Sequence, residues 1–185
     1  QNIHTKQNSQ KNNLHNQAKK MDGKKFTVES YAELLSKIPG KTPVIMGTPK
    51  DFESVELVRL LEQKCVPVIS AVGSWNLKEV AQIISGAWRY LGNDTGLGHL
   101  AEAVGVPSFV VFGPTREDMG FGPWRPESRA IGKSLACRPC GKDGRYCYRL
   151  GQRFACMTGL KAQDVILQAP ELAALAEKKE LSRST

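Results

Sequence analysis

The sequence predicts an α/β fold, with a Rossmann-like parallel sheet and helices on both of its faces. Short apolar runs alternate with segments of helical spacing from residue 43 to residue 112, which is the pattern of βαβ units. The run Ser108–Phe112 is apolar and of strand length, as expected of a strand buried on both faces. A glycine-rich turn over 94–98 separates a predicted strand from a predicted helix.

The composition limits the class of protein and its partners. The chain has 185 residues, 41% of them hydrophobic, which is enough for the core of one domain. No apolar run reaches the length of a membrane span and no secretory signal pattern is visible, so we expect a cytoplasmic protein. The net charge of +8 is spread along the chain rather than gathered on one helix. We therefore expect anionic small molecules or an anionic membrane face as partners, and no nucleic acid.

The first part of the chain changes from polar to helical. Residues 1–22 are rich in Asn, Gln and Lys and predict a flexible tail or loop, with Gln1–His4 as the end of a strand in the alternative interpretation. Thr27 can cap the first helix, and Pro39 and Gly40 end it. The buried stripe of that helix is predicted to be Tyr31, Leu34, Leu35 and Ile38.

Two strand–helix pairs follow. Pro43–Met46 predicts a strand, and acidic residues then open a helix. Val66–Ala71 predicts the next strand, and Asn76 and Glu79 form a capping-box pair at the start of the helix after it. The inner face of that helix is predicted to be Leu77, Val80, Ala81 and Ile84.

The stretch 90–115 carries most of the functional information. Asn93, Asp94 and Thr95 are residues that start helices, apolar residues then recur at helical spacing, and Gly105 stops the helix. A helix amino terminus offers unpaired N–H groups and the positive end of the helix dipole, which suit a phosphate. On spacing alone, the stretch predicts a site for a phosphorylated ligand.

The residue identities in this stretch are more specific than their spacing. It closely resembles the signature of glycosyltransferase family 9, the ADP-heptose:lipopolysaccharide heptosyltransferases, in the residues G-N-D-T-G-L-G-H-L-A-E-A-V-G-V-P and F-G-P-T. A looser resemblance extends from about Lys24 to Val165. It implies the carboxyl-terminal half of a two-domain GT-B glycosyltransferase, with a nucleotide-sugar-binding domain over 23–169 and a C-terminal helix with a frayed end over 170–185.

The resemblance also implies which residues bind the donor. Those expected around the diphosphate and sugar are Asp94, Thr95, Gly96, Leu97, Gly98 and His99. Lys24 matches the lysine that holds the diphosphate in the family. Asp51 or Glu53 matches an acid at the ribose, and the two are not distinguished. Trp75 stands where the family packs an apolar residue on the adenine.

Each implied role has a structural alternative. Asp94 can serve as a helix cap, His99 as a histidine at the core edge, and Lys24 as a solvated lysine. Trp75 can be a half-buried side chain that closes the core.

The resemblance implies transfer of heptose, or a related sugar, from an ADP-sugar donor to the lipopolysaccharide core. The catalytic base of the family belongs to its amino-terminal domain, so none is identified in this chain. The implied partners are that domain, in cis or in trans, and a peripheral contact with the inner membrane. No cofactor is required in this interpretation. The alternative is a non-catalytic nucleotide-binding or assembly module.

Five cysteines are present, and four lie in a cysteine segment over 137–156. They are Cys137, Cys140, Cys147 and Cys156. A C-x-x-C pair with two further cysteines could clamp a structural zinc or iron, while disulfides and free thiols are the alternatives. The remaining cysteine, Cys65, is expected to be a small core residue.

Overall fold

The computed structural model describes residues 25–141 and 146–174. In chain order the strands are β1 (Val44–Gly47), β2 (Ile69–Val72), β3 (Tyr90–Asn93), β4 (Ser108–Phe112) and β5 (Arg129–Gly132). The helices are α1 (Val28–Ser36), α2 (Phe52–Gln63), α3 (Leu77–Ser85), α4 (Gly96–Ala103), α5 (Ala155–Thr158) and α6 (Ala162–Gln168). Two 3-10 turns lie at Glu117–Met119 and Pro170–Leu172.

All described strand pairs are parallel, as predicted. β1 pairs with β2, and β3, β4 and β5 form a second ladder with β4 at its centre. Among the described residues the strands thus form two ladders rather than the one predicted sheet. Side chains connect them, since Met46 of β1 packs in the same apolar cluster as Tyr90 of β3.

Helices cover both faces of the three-stranded ladder, which confirms the predicted layers. On one face, Phe109 and Val111 of β4 pack in one cluster with Leu34 of α1 and Val165 of α6. On the other face, Ile84 of α3 and Ala101 of α4 form a second cluster. All five residues of β4 are buried, as its apolar sequence predicted.

The predicted starts of α1 and α3 and the predicted end of α4 are confirmed, whereas α1 ends at Ser36, before the predicted Pro39 and Gly40. Thr27 caps α1, its hydroxyl accepting a hydrogen bond from the N–H of Ser30 at 3.2 Å. Asn76 and Glu79 form the capping box of α3. Gly105 follows α4 with a φ of 89°, the left-handed conformation that glycine adopts without strain.

Three predictions about the elements are wrong in detail, and one strand was not predicted. The second strand is Ile69–Val72 rather than Val66–Ala71. Leu77 is 70% exposed because it lies in the first turn of α3, before the helix meets the core. Cys65 is exposed, with a φ of 56°, because it follows the end of α2. β5 was not predicted, since only Ile131 in it is a large apolar residue.

The C-terminal helix predicted over 170–185 begins as a 3-10 turn in its described part, residues 170–174. α6 ends at Gln168, and Pro170 opens the turn. The proline ring cannot continue the hydrogen-bond ladder of the helix. The tail 1–22 and the chain end after 174 lie outside the described residues.

Candidate functional site

The carboxyl end of β3 meets the amino end of α1. The side-chain oxygen of Asn93 accepts hydrogen bonds from the N–H of Phe26 at 3.0 Å and from the hydroxyl of Tyr31 at 3.2 Å. Asn93 is 67 and 62 residues away from these partners in sequence. One amide therefore fixes the start of α1 beside the glycine-rich turn.

Lys25 and Glu53 bring two charges to the same end of the fold. The ammonium of Lys25 lies 2.6 Å from the carboxylate of Glu53, with both side chains partly exposed. Burial, then the nearby Tyr90 and Glu53, raise the pKa of the Tyr31 phenol, so it stays a neutral hydrogen-bond donor. Glu53 is thus placed beside α1.

Lys24, the predicted diphosphate lysine, lies outside the described residues.

Asp51 is held differently from Glu53. Its carboxylate accepts a hydrogen bond of 2.8 Å from Ser54, whose hydroxyl also donates to the carbonyl of Met46 at 3.2 Å. Gly47 leaves room for this arrangement, because a Cβ there would lie 2.2 Å from the Ser54 hydroxyl oxygen. Asp51 is consequently tied to the end of β1.

The glycine-rich turn presents the amino terminus of α4 to solvent. Thr95 is the N-cap residue, with a φ of −144°, and makes no side-chain cap hydrogen bond. Thr95, Gly96 and His99 are exposed and Leu97 is half-buried. The first N–H groups of an α-helix have no partner within the helix, so this end can donate to an anion.

Gly98 allows α4 to lie close to the sheet. A Cβ at this position would lie 3.0 Å from a methyl carbon of Val110 in β4. The aromatic ring of Tyr90 passes on the same side, and a Cβ at Gly98 would lie 3.8 Å from it. Burial raises the pKa of Tyr90, while a side-chain hydrogen bond with Thr95 acts in the opposite direction. Gly98 is buried, and its lack of a side chain permits this close packing.

Asp94 is not the N-cap of α4, in contrast to its predicted alternative role. One of its carboxylate oxygens accepts a hydrogen bond of 2.7 Å from the hydroxyl of Thr115. Thr115 is fully buried at the end of the F-G-P-T sequence. The carboxylate is thereby held next to the exposed turn.

Arg138 extends this chain of contacts. Its guanidinium donates to the backbone carbonyls of Thr115 at 2.8 Å and Phe112 at 3.2 Å, and to that of Lys133. The sequence did not reveal three residues of the site, which are Asn93 in its link to α1, Thr115 and Arg138. Asn93 and Thr115 stand inside the quoted signature, so attention to its polar residues could have found them, whereas no local pattern points to Arg138.

Trp75 lies at the carboxyl end of β2. Its indole N–H donates to the carbonyl of Ala71 at 2.8 Å, and its ring covers Gly73, where a Cβ would lie 3.0 Å from the indole nitrogen. The side chain is 47% exposed. A ring fixed by a hydrogen bond and open on one face can stack on a base, so the predicted role remains a prediction.

The thiols of the cysteine segment differ from one another. Burial acts to raise the pKa of Cys147, but the backbone N–H groups of Phe154 and Arg149 outweigh it and the pKa is lowered. The N–H of Phe154 lies 3.1 Å from the Cys147 sulfur. Burial raises the pKa of Cys140 and of Cys156. All five cysteines are free thiols.

The four cysteines do not form a ready metal site in the part of the chain that the structure describes. No group of three or more His, Cys, Asp or Glu side chains there could hold a metal ion.

Comparison with known proteins identifies the family. A sequence profile of glycosyltransferase family 9 (heptosyltransferase) matches residues 2–147, which is more than half of the chain. The chain belongs to glycosyltransferase family 9. The resemblance read from the glycine-rich turn is thus confirmed.

Two curated relatives illustrate the match to glycosyltransferase family 9. Lipooligosaccharide heptosyltransferase 2 of Campylobacter jejuni subsp. jejuni serotype O:2 is 29% identical over 132 residues, which are 70% of this chain and 40% of the relative. Lipopolysaccharide heptosyltransferase 1 of Pseudomonas aeruginosa is 40% identical over 68 residues, 36% of this chain and 19% of the relative. The chain spans about two-fifths or less of the length of these relatives.

Solved structures of the family share the fold. ADP-heptose lps heptosyltransferase II of E. coli matches 84% of this chain and 44% of its own, with a TM-score of 0.63 and 23% identity. The family 9 glycosyl transferase of Veillonella parvula DSM 2008 matches 83% of this chain and 43% of its own, with a TM-score of 0.61 and 22% identity. The predicted α/β fold of GT-B glycosyltransferases is confirmed. None of the helices described here is long and apolar enough to cross a membrane.

Proposed function

We propose that this chain is the nucleotide-sugar-binding, carboxyl-terminal half of a glycosyltransferase that uses an ADP-sugar donor, with heptose or a related sugar. The observation that carries the proposal is the exposed amino terminus of α4. Asp94 is oriented beside it by Thr115, and Asn93 joins it to the start of α1, next to Lys25. Family membership supports the reaction class.

The proposed chemistry is electrostatic. The N–H groups of Gly96 and Leu97 would donate to the donor's diphosphate, where negative charge increases as the sugar bond breaks. His99 is exposed in the first turn of α4 and would donate to a phosphate oxygen. In this proposal these groups, with Lys24 or Lys25, supply the compensating positive charge. Activity that disappears in chelator and returns with magnesium would contradict the proposal of a metal-independent site.

The nucleoside would lie across the ends of β1 and β2. Trp75 offers an open ring face for the adenine. Glu53 and Asp51 are the candidates for the ribose hydroxyls. Asp51 is engaged with Ser54 and Glu53 with Lys25, so a ribose would have to compete with one of these contacts.

The acceptor and the second half of the enzyme are inferred from the relatives. The two curated relatives are heptosyltransferases of lipooligosaccharide and lipopolysaccharide. We therefore propose a sugar of the lipopolysaccharide core as the acceptor, reached at the cytoplasmic face of the inner membrane by peripheral contact. The acceptor-binding domain and the catalytic base would come from an amino-terminal half, in cis or in trans.

Binding of ADP tests the proposal directly. In ¹⁵N-labelled protein, ADP should shift the backbone amides of residues 95–97 saturably and quench the fluorescence of Trp75. Lys25→Met should raise the Kd of ADP about tenfold, because it removes a cation beside the phosphates. Lys64→Met, at an exposed lysine after α2, is the matched control and should change the Kd less than twofold. Amide shifts confined to other parts of the chain would overturn the proposal.

A structural metal in the cysteine segment is a separate proposal. It rests on the spacing of the four cysteines and on the two N–H groups that already point at the Cys147 sulfur, as donors do around metal thiolates. Elemental analysis of purified protein should find about one zinc or iron per chain. A metal-free protein with a full count of reactive thiols would refute it.

A further inference from the structure

A cavity of about 270 Å³ opens beside the carboxyl ends of β4 and β5. Its size is near the lower end of small-molecule sites, roughly 300 Å³. Its charged lining residues are Arg116, Glu117, Lys133 and Arg138. None of the lining residues belongs to the glycine-rich turn, so the cavity is distinct from the proposed diphosphate site.

Arg138 lines this cavity and is held by hydrogen bonds to the backbone. Its guanidinium donates to the carbonyl of Phe112, the last residue of β4, and to the carbonyl of Thr115. It also lies next to Gly132, the last residue of β5. A Cβ on Gly132 would lie only 2.8 Å from a guanidinium nitrogen. The position of the cation is therefore set by backbone on several sides, as in a preorganised anion site.

The positive charge of Arg138 has no carboxylate partner among the residues that the structure describes. Its three bonds go to neutral carbonyls, and Lys133 likewise donates to the carbonyl of Gly159 at 2.8 Å. Arg138 is half-buried, so its charge is partly removed from water, which costs free energy. An anion in the cavity would offset this cost.

We propose that this cavity binds a sugar-linked anion, a phosphate or a carboxylate, between Arg138, Lys133 and Arg116. The side chains of Ser134 and Gln168 line the same space and can contact sugar hydroxyls. Thr115 joins the cavity to the turn, because its carbonyl accepts from Arg138 while its hydroxyl donates to Asp94. We assign this anion to the acceptor rather than to the donor, and this assignment rests on the proposed function.

The test uses the full chain with glucose 6-phosphate, glucuronate and ADP as probes, followed by backbone amide shifts. Either sugar anion should shift the amides of Gly132, Lys133 and Ser134 saturably. Ser134→Glu places a carboxylate at the exposed rim and should weaken this binding about tenfold. Gln163→Glu adds the same charge on an exposed position of α6 outside the cavity and should change it less than twofold.

The outcomes separate the sources of the anion. Binding of only one sugar anion supports the site and identifies its group as phosphate or carboxylate. If neither sugar anion shifts these amides, if both variants weaken binding equally, or if ADP alone shifts them, the inference is wrong. Shifts of residues 95–97 by ADP report the proposed nucleotide site independently, so the two ideas can fail separately.

Discussion

Single hydroxyl and amide groups determine how the candidate site is held. Thr115 is buried, and its one hydroxyl, after the end of the neighbouring strand β4, orients the carboxylate of Asp94. Asn93 does the same for the start of α1. These contacts join residues 21 to 67 positions apart in sequence. The local spacing of the turn could be read from the sequence, but such distant pairings could not.

Replacing Thr115 by valine tests the first of these contacts. Thr115→Val keeps the shape and removes the donor to a charged acceptor, so the free energy of unfolding should fall by about 1–2 kcal/mol and the Kd of ADP should rise several-fold. Urea denaturation and calorimetric titration measure the two effects. Thr115→Ser keeps the hydroxyl and should retain most of both.

Thr158→Val is the matched control for the loss of a hydroxyl. Thr158 is exposed and donates to the carbonyl of Phe154 at 3.2 Å, so its loss should cost less than about 0.5 kcal/mol. Equal effects of Thr115→Val and Thr158→Val would show that Thr115 does not position Asp94.

The thiols of the cysteine segment should react at different pH. The pKa of Cys147 is lowered, so its reactive thiolate forms at a lower pH than those of Cys140 and Cys156, whose pKa values are raised. In iodoacetamide labelling of metal-free protein near pH 7, mass spectrometry should find Cys147 modified before these two. Arg153→Gln removes a nearby positive charge and should slow labelling of Cys147, whereas Arg59→Gln, in α2, should not. Faster labelling of Cys156 would contradict the prediction.

At the scale of elements, α4 organises the loop that follows β4. Glu102 is buried in α4, and its carboxylate accepts from the N–H groups of Trp124 at 2.9 Å and Arg125 at 3.2 Å. The hydroxyl of Ser128 donates to it at 2.5 Å and accepts from the N–H of Ser108 at 2.9 Å. One carboxylate thus connects the helix of the glycine-rich turn to a long loop and to the start of β4.

Removal of that carboxylate should loosen the loop. Glu102→Ala leaves several buried donors without an acceptor and should lower the free energy of unfolding by about 3 kcal/mol. Glu62→Ala, at an exposed position near the end of α2, should change it by less than about 0.5 kcal/mol. Chemical denaturation compares the two. A loss below about 1 kcal/mol for Glu102→Ala would mean that water replaces the carboxylate.

The elements that sequence reasoning found are those with strong local signals. Thr27, the Asn76–Glu79 pair and Gly105 mark helix ends through their own chemistry, and β4 is apolar throughout. β5 was not predicted, because its pairing with β4 places it in the sheet and its own sequence has no strand pattern. Leu77 was misplaced because helical spacing does not show where the helix first meets the core.

For the whole molecule, the decisive fact is that the chain spans about two-fifths of its Campylobacter relative. The family signature predicted the fold and the position of the candidate site. In the proposed two-part enzyme the acceptor would contact residues of the amino-terminal half, so this sequence alone could not predict that contact.

The two-part nature of the proposed enzyme can be tested by reconstitution. The isolated chain should bind ADP with no measurable sugar transfer, because the expected catalytic base lies in the other half. Adding or fusing the amino-terminal half of a family 9 relative should raise transfer from an ADP-sugar at least a hundredfold, in the range of general base catalysis. The same half fused to a chain carrying His99→Ala serves as the control. Robust turnover by the 185 residues alone would refute the prediction.

The side-chain oxygen of Asn93 accepts two hydrogen bonds, and this has a consequence for ligand selectivity. The N–H of Phe26 can only donate, so a 180° flip of the amide would place two N–H groups against each other. The amide nitrogen of Asn93 therefore lies on the opposite side and can only donate hydrogen bonds there. A ligand atom next to this nitrogen has to offer a lone pair, which favours carbonyl, hydroxyl and phosphate oxygens over ammonium groups.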